Sequence, residues 1–435
     1  MRILLTGASG FIGRHVLNVL LAEGYYVVAA VRKPPAASTR PRLSYIEADF
    51  AKDTDKSAWL ARLDGIDVVI NTVGIFREHG KQTFATIHSD TPRVLFAACV
   101  ESDDVRMVIQ LSALGADQQA DTAYHLSKKA ADDYLALLPL RSVILQPSLV
   151  YGKDGVSARV FRTLASMPLC ARFGDAPQLV QPIHVDDVAC AIASLVRRPL
   201  PVGPAGATAQ RIPLVGQTAL PFTDYLAALR SGLGLGKLRV LRLPAWCGKL
   251  LAGLGRLVPG SLLNRDSLRM LDRGSSADPG MTMRLIGRLP RAIASFIDDP
   301  AAERMQAKLH WLMPVLRVSI AAVWIATAAV SAGLYPVEQS YQLLERTGVP
   351  PQLQPLMLYG ACALDLLIGI GILTLKRRRW LWGAQLLLIG FYTLAIAFRL
   401  PEFLLHPYGP LSKNLPMLAA IWLLFELEEK KPEEK

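Results

Sequence analysis

The sequence predicts an α/β fold, a doubly wound parallel sheet with a small C-terminal substrate lobe, followed by an all-α bundle of four transmembrane helices. Three observations predict it. Short apolar runs alternate with helical stretches through roughly the first 150 residues. A glycine-rich turn joins the first run to the first helix. Beyond about residue 310, uncharged stretches approach the ~20 residues that a helix needs to cross a bilayer core.

Residues 2–6 are a buried strand, and Gly7, Gly10 and Gly13 follow it into a helical pattern from Arg14 to Glu23 that Gly24 stops. Residues 26–31, rich in valine and alanine, are a second strand. Further strands are expected at 43–48, 66–73, 105–111 and 141–146, with crossover helices at 90–101 and 125–138. Buried strands alternating with helices imply a parallel sheet covered on both faces. From about 150 the rhythm breaks on Pro199-Leu-Pro201 and Pro204-Ala-Gly206. A strand at 211–215 and a helix at 222–233 follow, and 243–300 reads as mostly helical and basic. The first domain is therefore 1–305, its lobe about 150–305.

A second domain is expected at 311–427, with spans at 314–335, 356–375, 380–398 and 411–427. The last carries Lys413 and is the shortest. Asp365 lies mid-span, where a charge costs about 2.5–3.5 kcal/mol or more. It is expected to pair with Lys413 or Arg317, either as structural glue or lining a polar pocket. Lys376, Arg377, Arg378 and Arg379 crowd one short loop, which the positive-inside bias places in the cytoplasm. The N-terminal domain and the C-terminus then lie on that side of a bacterial-type inner (cytoplasmic) membrane.

Composition agrees. A hydrophobic share of 51% is high for a soluble chain of 435 residues. The net charge of +12 fits cytoplasmic loops or an anionic ligand. No zinc-finger, helix-turn-helix or lysine-aromatic pattern supports nucleic acid as a partner. The five cysteines lack a Cys-x-x-Cys spacing, and the histidines lack ligand spacing, so neither a disulfide framework nor a metal site is expected. The N-terminal apolar run is too short for a signal peptide.

The glycine turn sits between a strand and a helix, the context of a dinucleotide-binding Rossmann fold. One glycine permits the turn, one lets a diphosphate approach the main chain, and the third lets helix and sheet pack closely. The helix N-terminus supplies free N–H groups and a positive dipole end. After the second strand stand Arg32 and Lys33 rather than an acidic residue, which suits the 2′-phosphate of NADP(H) over NAD(H). Both also read as solvated loop charges. Asp49 is placed to accept from the adenine amino group.

Tyr124 and Lys128 are four apart and share a helix face. A nearby ammonium lowers a tyrosine pKa, which readies the phenol to exchange a proton with a substrate oxygen near neutral pH. Ser112, ending a buried strand, is set to polarise the same oxygen. His79 and His88 read as surface residues and His184 as structural.

Gly7-x-x-Gly10-x-x-Gly13, Asn71-Thr-Val-Gly74, Ser112, Tyr124-x-x-x-Lys128, Pro147-Ser-Leu-Val-Tyr-Gly152 and Pro182-Ile-His-Val-Asp-Asp-Val-Ala189 occur in that order. Together they resemble an atypical or extended short-chain dehydrogenase/reductase, nearest the nucleotide-binding accessory subunit of respiratory complex I and its bacterial relatives. The resemblance implies Ser112, Tyr124 and Lys128 as the catalytic set. It also implies Lys128 on the nicotinamide ribose and Pro147 lining the nicotinamide pocket. Ser9, Phe11 and Ile12 in the turn, Phe50 beside Asp49, and Thr72, Val73 and Gly74 complete the expected cofactor-binding set. Asn-Thr-Val-Gly departs from the more familiar Asn-Asn-Ala-Gly. His406-Pro-Tyr-Gly-Pro-Leu-Ser-Lys-Asn-Leu-Pro416 is similar to the DoxX-like membrane family, which is loosely associated with respiratory quinone chemistry.

Three functions stay open. The first is a membrane-anchored oxidoreductase passing hydride to or from a carbonyl or alcohol of an apolar, lipid or quinone-like substrate. The second is an assembly protein that holds NADPH without turnover. The third is a cofactor-sensing regulator.

Overall fold

Six runs rich in valine, isoleucine and leucine become parallel strands: β1 (Arg2–Thr6), β2 (Tyr26–Val31), β3 (Leu43–Glu47), β4 (Val68–Asn71), β5 (Met107–Leu111) and β6 (Ser142–Pro147). In the computed structural model, which describes residues 1–35, 39–173, 178–198, 209–244, 246–247, 265–405, 409 and 411–428, Ala209–Leu214 adds a seventh. The sheet order is Ala209–Leu214, β6, β5, β4, β1, β2, β3, with every pair parallel. The chain leaves β1 for β2 on one side and returns to β4 on the other. That reversal opens a crevice at the carboxyl ends of β1 and β4.

Alternate residues of each strand serve opposite faces. Ile3 and Leu5 meet Val16, Leu17 and Leu20 of α1 (Phe11–Ala22) and a run of residues from α6 (Val185–Arg197). Leu4 faces the other way, into the cluster of Trp59 from α2 (Lys56–Leu60), Leu95 and Phe96 from α3 (Thr91–Glu101), and Ala131 and Leu135 from α4 (Ala123–Leu137). A π-helical turn at Ala85–Asp90 precedes α3. Thr122 caps α4 by accepting from the His125 N–H.

The lobe has its own core, built on Tyr151, Ala158, Tyr225, Leu229 and Phe296 with α5 (Val156–Ser166) and α7 (Phe222–Gly232). Inside it Arg162 Nη1 and Glu303 Oε2 form a buried ion pair at 2.6 Å. The expected helical run at 243–300 is interrupted. Val240–Leu243 is a strand, Arg265–Arg273 and Gly280–Ile286 are short helices, and Ile293–Ser295 is a 3-10 turn. The proline breaks at 199–206 and the stretch 248–264 lie outside the described residues.

The chain divides into two compact units, Met1–Ala307 and Lys308–Lys435. The first apolar helix starts at Pro300, upstream of the expected span, and runs to Ala329 with Pro314 inside it. Its start signal is polar: the Asp299 carboxylate accepts the Ala302 N–H, and proline is pre-organised for a first helical position. Among the described residues, three helices are long and apolar enough to cross a membrane: Pro300–Leu334, Pro351–Thr374 and Arg379–Arg399. The expected fourth span is a helix of only 14 residues, Asn414–Leu427, about 21 Å at 1.5 Å per residue. A short polar helix, Val337–Arg346, lies between the first two spans.

The second unit packs around Ile320, Trp324, Ile368, Leu381, Trp382 and Ile421. Trp324 donates to Gln385 Oε1 at 2.8 Å inside it. The expected Arg317–Asp365 pair does not form. Arg317 and Arg378 both reach Glu428 instead, and Asp365, buried in its helix, makes no ion pair among the described residues. The partner of Arg317 is an acidic residue at the end of the last helix, which no spacing along the first span reveals.

Candidate active site

The glycine turn is shaped for an anion. Gly7 holds φ +74°, in the left-handed region, and a Cβ there would meet Thr72 Oγ1 at 2.8 Å and Val73 N at 3.0 Å. A Cβ on Gly13 would stand 2.1 Å from the Gly7 carbonyl oxygen, so this helix packs against the turn only with glycine. Helix α1 opens at Gly10 with no side-chain cap and no acidic residue in its first turn. The N–H groups of Phe11, Ile12 and Gly13 therefore lack helical partners at the sheet crevice. The cradle fits the diphosphate of a nicotinamide dinucleotide. Ser9 and Gly10 are exposed beside it. Ile12 packs into the core, and the Phe11 ring fills the space over Gly152 and Gly155, where a Cβ would meet it at 2.8 and 3.0 Å. That contact ties the turn to the Pro147–Gly152 segment.

Asn71, fully buried, fastens the strand ends. Its Oδ1 accepts from Thr6 Oγ1 and the Val73 N–H, and its Nδ2 donates to Gln110. Thr72 donates to the Thr6 carbonyl at 2.7 Å. A Cβ on Gly74 would stand 3.3 Å from Lys128 Nζ, so Gly74 opens the surface above that amine. Lys128 is buried and donates to the carbonyls of Val73 at 3.3 Å and Leu111 at 3.1 Å, bridging the ends of β4 and β5. Burial pushes its ammonium toward the neutral form, against the charge of Asp132.

The Tyr124 ring stands one turn earlier on α4, stacked on Phe76 at 5.2 Å and flanked edge-on by Phe84, His88 and His125. The expected lowering of its pKa is reversed in this arrangement. Burial, and then the Asp132 carboxylate, push the phenol above its ordinary value. The Lys128 ammonium is held on strand-end carbonyls, with a carboxylate nearby to offset it. Ser112 is buried at the end of β5 and its hydroxyl donates to Asp132 rather than into the crevice.

Pro147 ends β6, where its carbonyl accepts the Leu114 N–H. Arg32 and Lys33 are exposed just beyond β2. The Asp49 carboxylate accepts the Ala51 N–H at 3.1 Å and lies 3.7 Å from Lys52 Nζ, so it is already engaged in its own turn. Phe50 packs against Trp59 in the core, and its carbonyl accepts the Thr91 hydroxyl at 2.6 Å.

Two residues of this site escaped the sequence reading. His88 is 1% exposed, not a surface residue. Its Nε2 accepts the Ile75 N–H at 2.9 Å, so Nδ1 carries the proton toward Ser127 Oγ at 3.0 Å. Ser127 in turn donates to the Tyr124 carbonyl. Burial, and then Lys128, push the imidazole down to about 2, so the ring is neutral and its tautomer fixed. Asp132, fully buried, faces both Ser112 and Lys128, and burial pushes its carboxyl toward the neutral form. Its spacing of four from Lys128 was the available signal. His88 had none, since its partners lie 13 and 39 positions away.

Residues 3–204 match the NAD dependent epimerase/dehydratase family, and residues 321–422 the DoxX-like family. The N-terminal region is an epimerase/dehydratase-type domain, and the C-terminal region is DoxX-like. The epimerase/dehydratase-type domain is 26% identical over 199 residues to a ceramide reductase of Caulobacter vibrioides, covering 45% of this chain and 61% of that protein. It is also 26% identical over 207 residues to the rat mitochondrial NADH dehydrogenase [ubiquinone] 1 alpha subcomplex subunit 9, covering 45% and 53%. The chain thus spans less than two thirds of these relatives' length. A nucleoside-diphosphate-sugar epimerase from Staphylococcus aureus shares the fold, with a TM-score of 0.55 and 16% identity, covering 69% of this chain and all of that one.

Proposed function

We propose that the chain is a membrane-anchored NADPH-dependent oxidoreductase acting on a carbonyl or alcohol of an apolar, lipid-derived or quinone-like molecule. The observation that carries the reading is the placing of Tyr124 and Lys128 on α4, against the ends of β4 and β5 and beside the open glycine cradle. Ser9, Gly10, Phe11, Ile12 and Gly13 hold the diphosphate through main-chain N–H groups, with Thr72, Val73 and Gly74 along its path. Arg32 and Lys33 favour the 2′-phosphate of NADP(H). Bound, the nicotinamide supplies or accepts the hydride. Tyr124 carries the proton to or from the substrate oxygen, Lys128 holds the ribose and Ser112 orients the reacting oxygen. A reductase of a lipid among the relatives, and apolar helices on the same chain, support a substrate drawn from the bilayer.

The cytoplasmic side is proposed for the N-terminal unit. Arg317, Arg378 and Glu428 converge within the second unit, and that end carries the four-residue basic loop. A second reading, NADPH held without turnover, is favoured by the Ser112 hydroxyl being committed to Asp132 and by Phe76 covering Tyr124.

The test is NADPH oxidation by the detergent-purified chain with phenanthrenequinone and long-chain ketones. Tyr124→Phe is expected to lower kcat by about a hundredfold or more with little change in NADPH affinity. Tight NADPH binding without turnover across the panel would decide for the second reading.

A further inference from the structure

Among the described residues, the Ser112 hydroxyl donates to the carboxylate of Asp132. A hydroxyl has a single proton to donate. While that proton points at Asp132, Ser112 offers a substrate only lone pairs. It then accepts from an alcohol but gives nothing to a carbonyl.

Asp132 itself is unusual. It is fully buried, and its Oδ1 has no hydrogen-bond partner among the described residues. An ionised carboxylate with an unsatisfied oxygen away from water is costly, and taking up a proton relieves that cost. The groups facing it are few. Ser112 reaches it from β5, Lys128 and Asp133 lie on its own helix, and Arg211 stands on the edge strand Ala209–Leu214. Arg211 is already bound to Asp133. Lys128 points its Nζ at the Val73 and Leu111 carbonyls.

We propose that Asp132 is a positioning residue whose proton sets the direction of the Ser112 hydrogen bond, and with it the direction in which the site is poised to react. When Asp132 is protonated, its O–H donates to Ser112 Oγ, and the Ser112 proton is released toward a substrate carbonyl. When Asp132 is ionised, Ser112 donates to it and presents a lone pair to a substrate alcohol. The two states differ by one proton, which Asp132 exchanges with the solvent, while Ser112 keeps its own proton in both and no covalent bond between heavy atoms changes. Asp132 and Lys128 interact, so their protons leave in steps that belong to the pair. This inference rests on the oxidoreductase reading for its catalytic consequence, but the proton on Asp132 does not.

The test uses the full chain in lipid nanodiscs with NADP+ bound, titrated from about pH 5 to about pH 9 by infrared difference spectroscopy. A protonated-carboxyl band is expected that fades with rising pH, is missing in Asp132→Asn, and shifts in Ser112→Ala. The second readout is phenanthrenequinone reduction. In the wild type it falls by up to about tenfold per pH unit once the acid ionises. In Asp132→Asn, where the amide supplies an N–H donor to Ser112 at every pH, it changes less than about twofold per unit over the same range.

A wild type with no such band, or a band unaltered in Asp132→Asn, overturns the proposal. So does a variant whose pH profile copies the wild type. If Asp132→Asn does not fold, an unshifted band in Ser112→Ala overturns it. A titrating band without any turnover upholds the proton on Asp132 and sinks the oxidoreductase reading instead.

Discussion

His88 holds α4 in place through a neutral ring, and neutrality has a consequence for stability. Its folded-state pKa is depressed to about 2 by burial and by Lys128. Above the ordinary histidine value both folded and unfolded chains leave it uncharged. As pH falls below about 6.5, the unfolded chain binds a proton that the folded one refuses, so stability is lost at up to about 1.4 kcal/mol per pH unit. Denaturant unfolding of the wild type and His88→Gln between about pH 7 and pH 5 is expected to show a slope smaller by about one proton in the variant. Equal slopes would mean that His88 takes a proton while folded. Arg32 is a second residue-scale test. Arg32→Ala is expected to weaken NADPH about tenfold or more while changing NADH by less than about threefold, since only the first carries the 2′-phosphate. Isothermal titration with both nucleotides measures this, and equal losses would remove the phosphate role. The positions of Arg32 and the three glycines were legible in the sequence because they sit a few positions from a strand end. His88 and Asp132 act through partners on other elements.

At the scale of elements, the buried Arg162–Glu303 pair joins α5 to the first turns of the helix that begins at Pro300. Glu303 also accepts the N–H groups of Asp298 and Asp299, so one carboxylate both pairs with the lobe and satisfies the chain entering the helix. Removing one member of a buried pair leaves the other charged and unpaired, at a cost of about 3–5 kcal/mol. Glu303→Ala is therefore expected to lower the melting temperature of the full chain markedly. Replacing both residues together, as Arg162→Met with Glu303→Leu, should recover most of the loss. A single variant as stable as wild type would show that the pair contributes no net stability. The helix extends upstream of the expected span because hydropathy marks where a span is apolar, whereas the helix start is set by polar capping at Asp299. The central strands of the sheet were legible because they are mostly apolar runs, as burial on both faces demands, whereas the edge strands carry Ser44 and Glu47, or Gln210 and Arg211.

At the scale of the molecule, the chain carries an epimerase/dehydratase-type domain and a DoxX-like helical region. The proposed orientation is testable by cysteine accessibility in cells. In a background lacking the native cysteines, Glu338→Cys, before the second span, is expected to react with an impermeant maleimide from outside. Arg377→Cys, in the basic loop, is expected to react only after the membrane is opened. The reverse pattern would invert the topology and put the nucleotide site on the other side of the bilayer. The sequence by itself determined the order of strands and helices in the sheet, the glycine turn, the Tyr124–Lys128 spacing and three long apolar helices, because all of these are periodicities or spacings within a few residues. Only the tertiary structure decided that Ser112 answers to Asp132, that His88 is an anchor and that Arg317 belongs to Glu428. Those contacts join positions 13 to 111 residues apart, and a chain brings such positions together only by folding.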